Sequence, residues 1–578
     1  MTARRDGEAA FEREPSNNAS EFDYRAAAKS YSRWELSILA TILICSSIWC
    51  IGAAWRLGTT FDETIYIEEG LQLWRTGSHA GLLRQGIMPL PADIETLPLY
   101  VYENWHGKRL EPARDWLEML RPARIAALLF WWILLVYGWM AGRRLGGQMG
   151  GLLAAAFLAL EPTMLAHASL ATTDVPLTAG LLAMLHHFEY SRRSTRAWIA
   201  GTWFGVALLS KASAALFGPL ALVAVEIERL ARSPSGGIGA FERTRLIVHR
   251  LRPFWRELMK ILLLGSAIAI FVCGSDWQRE PGTWWVESLS PGFIRHVLRW
   301  VVGHLPIFPN AIDGLMWQVQ HNAHAQGANG AYLLGRTAES FWYYFPVALT
   351  IKLSIALLVL PIAIAVIMPS ALLNWPNLAA ATLLTFSPWY RVQIGIRLIL
   401  PIVALLSIGV AASTVTAIRA STLPLVRRSL TVAAGAGLVS AIYSAIAVWP
   451  NALCFTNALW GGTEQGYKYL ADSNYDWGQG LPELADWERT HSATELDVWY
   501  FGNDPAASKL PIRILPYSEF TEANVNIASR MKGRYLAVSA NLLYGAPYQE
   551  TFRDTVKRLR QLEPASRTST FFIYDFTK

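Results

Sequence analysis

The sequence predicts a polytopic α-helical membrane protein of about eleven spans with a small C-terminal α/β periplasmic domain. Two observations predict the helical part. Of 578 residues, 53% are hydrophobic and only 16% are charged, whereas a soluble chain has about a quarter of its residues charged. The apolar residues also gather in long runs, separated by short loops that carry arginine clusters. A third observation predicts the closing domain: beyond Pro450 the long runs stop, and strand-like LDVWYFG, RYLAVSA and TFFIYDF mix with helix-like stretches. The 25 Trp and 21 Tyr suit aromatic belts at two interfaces. The net charge of +7 is dispersed over loops, as a positive-inside orientation requires. No basic, aromatic-interleaved patch points to nucleic acid. Cys45, Cys50, Cys273 and Cys454 have neither metal spacing nor a disulfide framework and read as small packing residues.

Residues 1–30 are polar, with the composition of a disordered cytoplasmic segment, and contain no cleavable signal. Residues 31–450 read as the transmembrane domain with its periplasmic loops, and 451–578 as the periplasmic α/β domain. The first span, Leu36–Trp55, follows Arg25, Lys29 and Arg33, which place the N-terminus in the cytoplasm. LGTTFDETIYIEEG, residues 57–70, then leaves on the outer side with Asp62 and Glu63. The outer segment continues to about Met119 and is expected to hold a helix lying along the interface. Span two, Ile125–Ala141, ends at Arg143–Arg144 inside, and glycine-rich 146–151 opens span three. No Lys-Ser/Thr follows those glycines and no strand precedes them, so they predict close helix packing rather than a phosphate loop. Span three emerges at Glu161–Pro162. HASLATTDVP presents Asp174 before span four, Val175–Tyr190. Spans five and six, Ala197–Leu209 and Ala212–Ile227, meet at a break at Ser210–Lys211. A basic linker, Glu228–Lys260, leads to span seven, Ile261–Gly274, and to an outer segment with His304, His321 and His324. Spans eight to eleven are Phe341–Met368, Leu378–Trp389, Ile394–Ile418 and Leu430–Trp449. An odd count puts the C-terminus outside, in the periplasm of a cell whose inner, cytoplasmic membrane holds the chain.

On this topology Asp62, Glu63, Glu161, Asp174, Lys211, Lys352, Arg391, Arg397 and the three histidines fall on or near the outer face, while the inner face is mostly arginine. Carboxylates can take a proton from a hydroxyl or amine acceptor. Lys and Arg can hold a phosphate. Each residue also has a plainer reading. Asp62 and Glu63 could be solvated loop acids, and Asp174 a cap ahead of Pro176. Lys211 could snorkel to the interface, and Lys352 and Arg397 could be positive anchors. The histidines lack a tight ligand pattern. Trp477 in DSNYDWGQG could stack on an acceptor sugar or belong to a turn and helix cap.

FDETIYIEEG, ATTDVP and ALLSKASAALFGPL, followed by NGAYLLG, WYYFPVALTIKLS, IGIRLILPI and GGTEQGYKYLADSNYDWGQGLPEL, resemble the lipid-carrier-dependent glycosyltransferases of the GT-C class. That class includes the protein O-mannosyltransferases and the lipid A aminoarabinose transferase. The resemblance covers most of Leu36–Leu484. It implies a membrane enzyme that moves a hexosyl or pentosyl group from a polyprenyl-phosphate donor to a protein, lipid or glycan acceptor, with inversion, on the outer side. Asp62 matches the first-loop acid assigned as catalytic base, Glu63 is its neighbour, and Asp174 matches a second-loop acid. Lys211, in Ser-Lys-Ala, and Lys352 and Arg397 match basic positions suited to the donor phosphate. Trp477 and His324 are the candidates for acceptor contact. No cofactor is assigned; Asp174 would orient the acceptor or bind a divalent cation. One departure is IKLS in place of Lys-Thr-Pro, which leaves the local helix geometry open. The rival reading is a transporter or flippase of a lipid-linked sugar, which needs ionisable residues deep in the spans and paired broken helices. The enzyme reading needs Asp62 and Asp174 to converge beside fixed cations over a cavity open to lipid.

Overall fold

The computed structural model describes residues 31–191, 197–232, 240–274, 284–287, 289–304, 307–323, 330–491, 493, 495–516, 527–545 and 550–577. The first helix, Arg33–Arg56, starts where the Ser32 hydroxyl accepts the Glu35 N–H at 3.3 Å. Glu35 itself is buried, accepting from Arg143 Nε at 2.9 Å and Trp139 Nε1 at 3.2 Å. The segment in which one helix is expected holds two packed helices, Glu63–Thr76 and Leu90–His106, with short Ala80–Leu83 between them. They approach so closely that a Cβ on Gly70 would lie 2.7 Å from the Ala92 carbonyl.

The stretch Pro112–Leu160 is two helical arms that reverse at Gly146 and Gly147, the latter at φ +65°. A Cβ on Gly142 would meet the Gly150 carbonyl at 2.6 Å, and one on Gly150 would meet the Gly142 carbonyl at 2.7 Å. The glycine run therefore lets two backbones touch, in keeping with the small-residue packing rule. Helices Pro162–Ala168, Asp174–Ser191, Ala197–Ser210, Ala214–Ala231 and Ala240–Cys273 follow.

Span eight is not one rod. Tyr344–Lys352 and Ile355–Ile367 meet at 107°. At the bend the Ser354 N–H donates to Glu161, whose two carboxylate oxygens lie 3.2 and 3.3 Å away. The bend falls at Leu353–Ser354, in the IKLS stretch whose helix geometry the sequence leaves open. The helix at predicted span nine, Trp375–Thr385, has only 11 residues, about 16 Å of rise. A 3₁₀ turn, Ile396–Ile399, runs into Leu400–Ala420, and Pro424–Ala447 closes the bundle. Among the described residues, four helices are individually long and apolar enough to cross a bilayer, or five if the bent pair counts as one. The chain is a multi-pass membrane protein. Cys50, Cys273 and Cys454 are buried, whereas Cys45 is exposed.

Beyond the bundle lies a five-stranded sheet in the order β4-β3-β5-β7-β6. Its strands are β3 (Leu496–Trp499), β4 (Arg513–Ile514), β5 (Tyr535–Ser539), β6 (Ser566–Arg567) and β7 (Phe571–Asp575). A separate ribbon pairs β1 (Ala331–Leu333) with β2 (Arg336–Ala338). β3 runs parallel to β4 and β5, and β7 antiparallel to β5 and β6. The sheet does not hang free. Trp499, Val538 and Phe572 share one buried cluster with Ala53 and Leu57 of the first helix and its exit, and with Ala166 and Leu170.

Candidate active site

The loop after the first helix is held by the chain that follows the last one. Gly58 N–H donates to the Gln479 carbonyl at 2.8 Å and Phe61 N–H to the Trp477 carbonyl at 3.0 Å. Thr59 N–H donates to Asp504 Oδ2 at 3.1 Å, and Asn503 Nδ2 to the Phe61 carbonyl at 3.0 Å. Two sequence-distant motifs, residues 57–70 and 472–484, therefore lie side by side. Asp62 precedes helix Glu63–Thr76, but its side chain makes no capping bond. Instead Oδ2 accepts from Arg397 Nη1 at 2.7 Å and from the Tyr66 hydroxyl at 3.2 Å, with 24% of the side chain exposed.

Asp174 begins helix Asp174–Ser191 and is fully buried. Its Oδ1 accepts from Lys211 Nζ at 2.5 Å, and its Oδ2 lies 3.8 Å from Arg397 Nη1. Lys211 sits in the gap between helices Ala197–Ser210 and Ala214–Ala231. Arg397 is carried by the 3₁₀ turn, which is held from below: Asn474 Oδ1 accepts the Ile396 N–H at 2.9 Å, and Ser473 Oγ donates to the Ile394 carbonyl at 2.7 Å. Asp62, Arg397, Asp174 and Lys211 thus come from four separate stretches to form one alternating chain of two anions and two cations.

Glu63 and Lys352 stand apart from this chain, and Trp477 lies against its Arg397. Glu63 is fully buried with both oxygens taken: Arg124 reaches Oε1 at 2.7 Å and Oε2 at 2.6 Å, Thr60 N–H and hydroxyl reach Oε2 at 2.9 Å, and Ala171 N–H reaches Oε1 at 2.9 Å. It has no lone pair left for an acceptor proton, so it ties the first loop to the second instead of joining the chemistry. Lys352 is 2% exposed and donates to the carbonyls of Leu453 and Asn474, each at 2.8 Å. It fastens the helix break to the chain beyond the bundle and does not reach the Asp62–Asp174 group. Trp477 is 1% exposed with its ring under the Arg397 guanidinium at 4.1 Å. One face carries a cation, and the burial of the ring leaves no exposed surface on which a sugar could stack. His324 lies outside the described residues. His304 is exposed, and His321 stacks on Trp317 at 4.8 Å. Arg391 pairs with Glu339 at 3.1 Å.

Sequence reasoning did not single out Arg124, Tyr66, His167 or Asp472. Arg124 at the head of an apolar run, in MLRPARIAAL, is a buried-ion signal. It also donates to the carbonyls of Ala54, Leu57 and Gly58 at 2.7–3.0 Å. His167 is buried with its ring 6.5 Å from that of Trp477. Asp472 takes a left-handed φ of +56°. Burial, opposed by Arg397 and reinforced by Asp62, pushes its carboxyl up to about 7. Next along, Asp476 is pushed up to about 6 by burial, although the Ser539 hydroxyl and the Asn541 N–H favour its charged form. Among the described residues no three His, Cys, Asp or Glu side chains gather at metal-binding distance.

Over residues 118–236 the chain matches the profile of the family described as dolichyl-phosphate-mannose-protein mannosyltransferase. That stretch contains Asp174 and Lys211, and the resemblance to the GT-C class of lipid-carrier-dependent glycosyltransferases stands on it together with the motifs. No curated protein matches the chain. Among solved structures it is similar to ArnT from Cupriavidus metallidurans, solved bound to undecaprenyl phosphate, at 15% identity. That likeness has a TM-score of 0.43 and covers 94% of this chain and 98% of that one. It is also similar to the archaeal oligosaccharyltransferase AglB from Archaeoglobus fulgidus, solved with an inhibitory peptide and a dolichol-phosphate. The identity is 13% and the TM-score 0.47, over 94% of this chain and 74% of that one.

Proposed function

We propose that the protein is a membrane glycosyltransferase that moves a sugar from a polyprenyl-phosphate donor to an acceptor on the periplasmic side, with inversion. The observation that carries this reading is the Asp62–Arg397–Asp174–Lys211 chain, built from separate loops at one end of the helices. Asp62 takes the proton of the acceptor hydroxyl or amine as the acceptor atom bonds to the anomeric carbon. The bond from that carbon to the phosphate oxygen breaks, and the lipid phosphate leaves with the electron pair. Arg397 and Lys211 neutralise its charge.

In the resting state Arg397 occupies Asp62 at 2.7 Å. A donor phosphate competes for the same guanidinium, so its arrival frees Asp62 to act as base. Asp174 Oδ2 is buried and accepts no hydrogen bond. It is the oxygen that would orient the acceptor or receive a divalent cation, whose chemistry there would be to offset phosphate charge. The reading includes about eleven crossings of the inner membrane, residues 1–30 in the cytoplasm, a transmembrane domain over 31–450 and residues 451–578 in the periplasm.

The bent pair at Leu353–Ser354 and the break at Ser210–Lys211 are features that a flippase of a lipid-linked sugar would also use. Mass spectrometry of periplasmic glycans separates the two: loss of one sugar from one acceptor supports transfer, and lipid-linked precursor held on the inner leaflet supports flipping. The direct test is Asp62→Asn in a membrane preparation supplied with labelled polyprenyl-phosphate sugars. Transfer falls by about 10²–10⁴ while the unfolding profile stays native. Full transfer by a natively folded variant overturns the assignment.

A further inference from the structure

The helices that begin at the site have a second end. Asp174 opens helix Asp174–Ser191, Lys211 lies just ahead of Ala214–Ala231, and Arg397 lies just ahead of Leu400–Ala420. Around the far ends of these three helices is a cavity of about 480 Å³, lined in part by Arg144, Glu189, Glu228, Arg229, Arg232 and Thr416. A helix of 18 residues rises about 27 Å, close to the thickness of a bilayer's hydrocarbon. The cavity therefore lies at the level of the lipid head groups on the face opposite Asp62.

Its walls hold both signs of charge in place. Arg144 Nε lies 3.3 Å from Glu189 Oε1, and Arg232 Nε lies 2.7 Å from Glu228 Oε1. Arg232 Nη2 also donates to the Leu373 carbonyl at 2.8 Å, and Arg229 pairs with Glu226 at 3.3 Å. A guanidinium's planar fork of N–H donors fits a phosphate as well as a carboxylate. A plain anion entering here meets Glu189 and Glu228, and a plain cation meets three arginines. A zwitterion carrying a phosphate and a primary ammonium satisfies both.

We propose that this cavity binds a phosphoethanolamine head group, with the phosphate on Arg144, Arg229 and Arg232 and the ammonium on Glu189 and Glu228. The volume is within the usual range for a small-molecule site. The inference needs the helices to cross a bilayer and does not depend on the transfer reaction.

The test is native mass spectrometry of the full-length protein in detergent, with phosphatidylethanolamine, phosphatidylglycerol or phosphatidylcholine added. Phosphatidylethanolamine is retained in preference to the other two, because phosphatidylglycerol has no ammonium and choline has no N–H donor. Glu189→Gln with Glu228→Gln abolishes the preference over phosphatidylglycerol and weakens retention about tenfold, the loss of a charge-assisted hydrogen bond. Arg229→Gln with Arg232→Gln weakens retention of all three lipids, which share the phosphate, by a similar factor. Thr416→Trp, which fills the cavity and leaves every charge in place, excludes the lipid. Soluble phosphoethanolamine added as a competitor separates the sources: displacement assigns the site to the head group alone, and no displacement assigns it to the whole lipid. Equal retention of the three lipids, or unchanged retention in variants with native unfolding profiles, overturns the proposal.

Discussion

Asp62 and Glu63 are neighbours in sequence with opposite surroundings. One points to Arg397 and keeps partial exposure; the other is sealed against Arg124. Composition and loop position mark both as acids at a helix exit, but only the direction of the helix that starts between them decides which faces outward. The same limit hid the fate of Trp477 and Lys352, whose partners come from distant stretches. Asp174, Lys211 and Arg397 were legible because each stands at the end of an apolar run, where a charge is conspicuous. Breaking the buried Glu63–Arg124 pair strands a charge, so Arg124→Met costs about 3–5 kcal/mol, read as a lower unfolding temperature in detergent. Asp472 and Asp476 hold their protons more tightly folded than unfolded, with carboxyls at about 7 and about 6. Their contribution is complete below about pH 4 and is lost as the pH rises towards 7. Thermal unfolding measured from pH 4 to 8 therefore shows stability falling through this window, and Asp472→Asn removes the upper part of the slope.

At the scale of elements, the glycine run was readable because its physical meaning is local: two arms joined by a tight reversal need small residues where they touch. Gly142→Leu puts a side chain where a Cβ already meets the Gly150 carbonyl at 2.6 Å. Such overpacking costs about 1–3 kcal/mol, measurable by the same unfolding assay, whereas a leucine at Gly435, which has open space around it, is neutral. The break in span eight was only half readable: FWYYFPVALTIKLSIALLVLPIAIAVIM is apolar enough to read as one span, and IKLS within it left the geometry open. At the break a carboxylate from a different element, Glu161, accepts the Ser354 N–H. Ser354→Pro removes that N–H and leaves Glu161 buried without this donor. The bend survives, while the stability falls.

For the whole molecule, three strands of the C-terminal sheet were apparent from alternating and aromatic-rich segments, but their order was not. β3 pairs with β5, and the chain between them supplies the edge strand β4. Nor did the sequence disclose that this region supports the first loop. Asp504 and Asn503, just past β3, hold Thr59 and Phe61 on either side of the bend that presents Asp62. Asp504→Ala frees that bend without touching Asp62, and misplacement of a reacting group costs up to about a hundredfold in rate. The loss appears in transfer assays with donor-saturated membranes, while the bundle's unfolding temperature changes little.

The alternating chain of charges has a consequence for how the molecule is made. Asp174 leaves the ribosome long before Arg397, and at roughly 5–20 residues per second the interval is on the order of tens of seconds. Throughout that time a carboxylate destined for a dry interior has only Lys211 to neutralise it, and Asp62 has no cation at all. Until helix Leu400–Ala420 and the turn ahead of it are made, the two carboxylates wait for the guanidinium that joins them. Only when synthesis reaches Ser473, Asn474 and Trp477 does the turn that carries the guanidinium gain its seat.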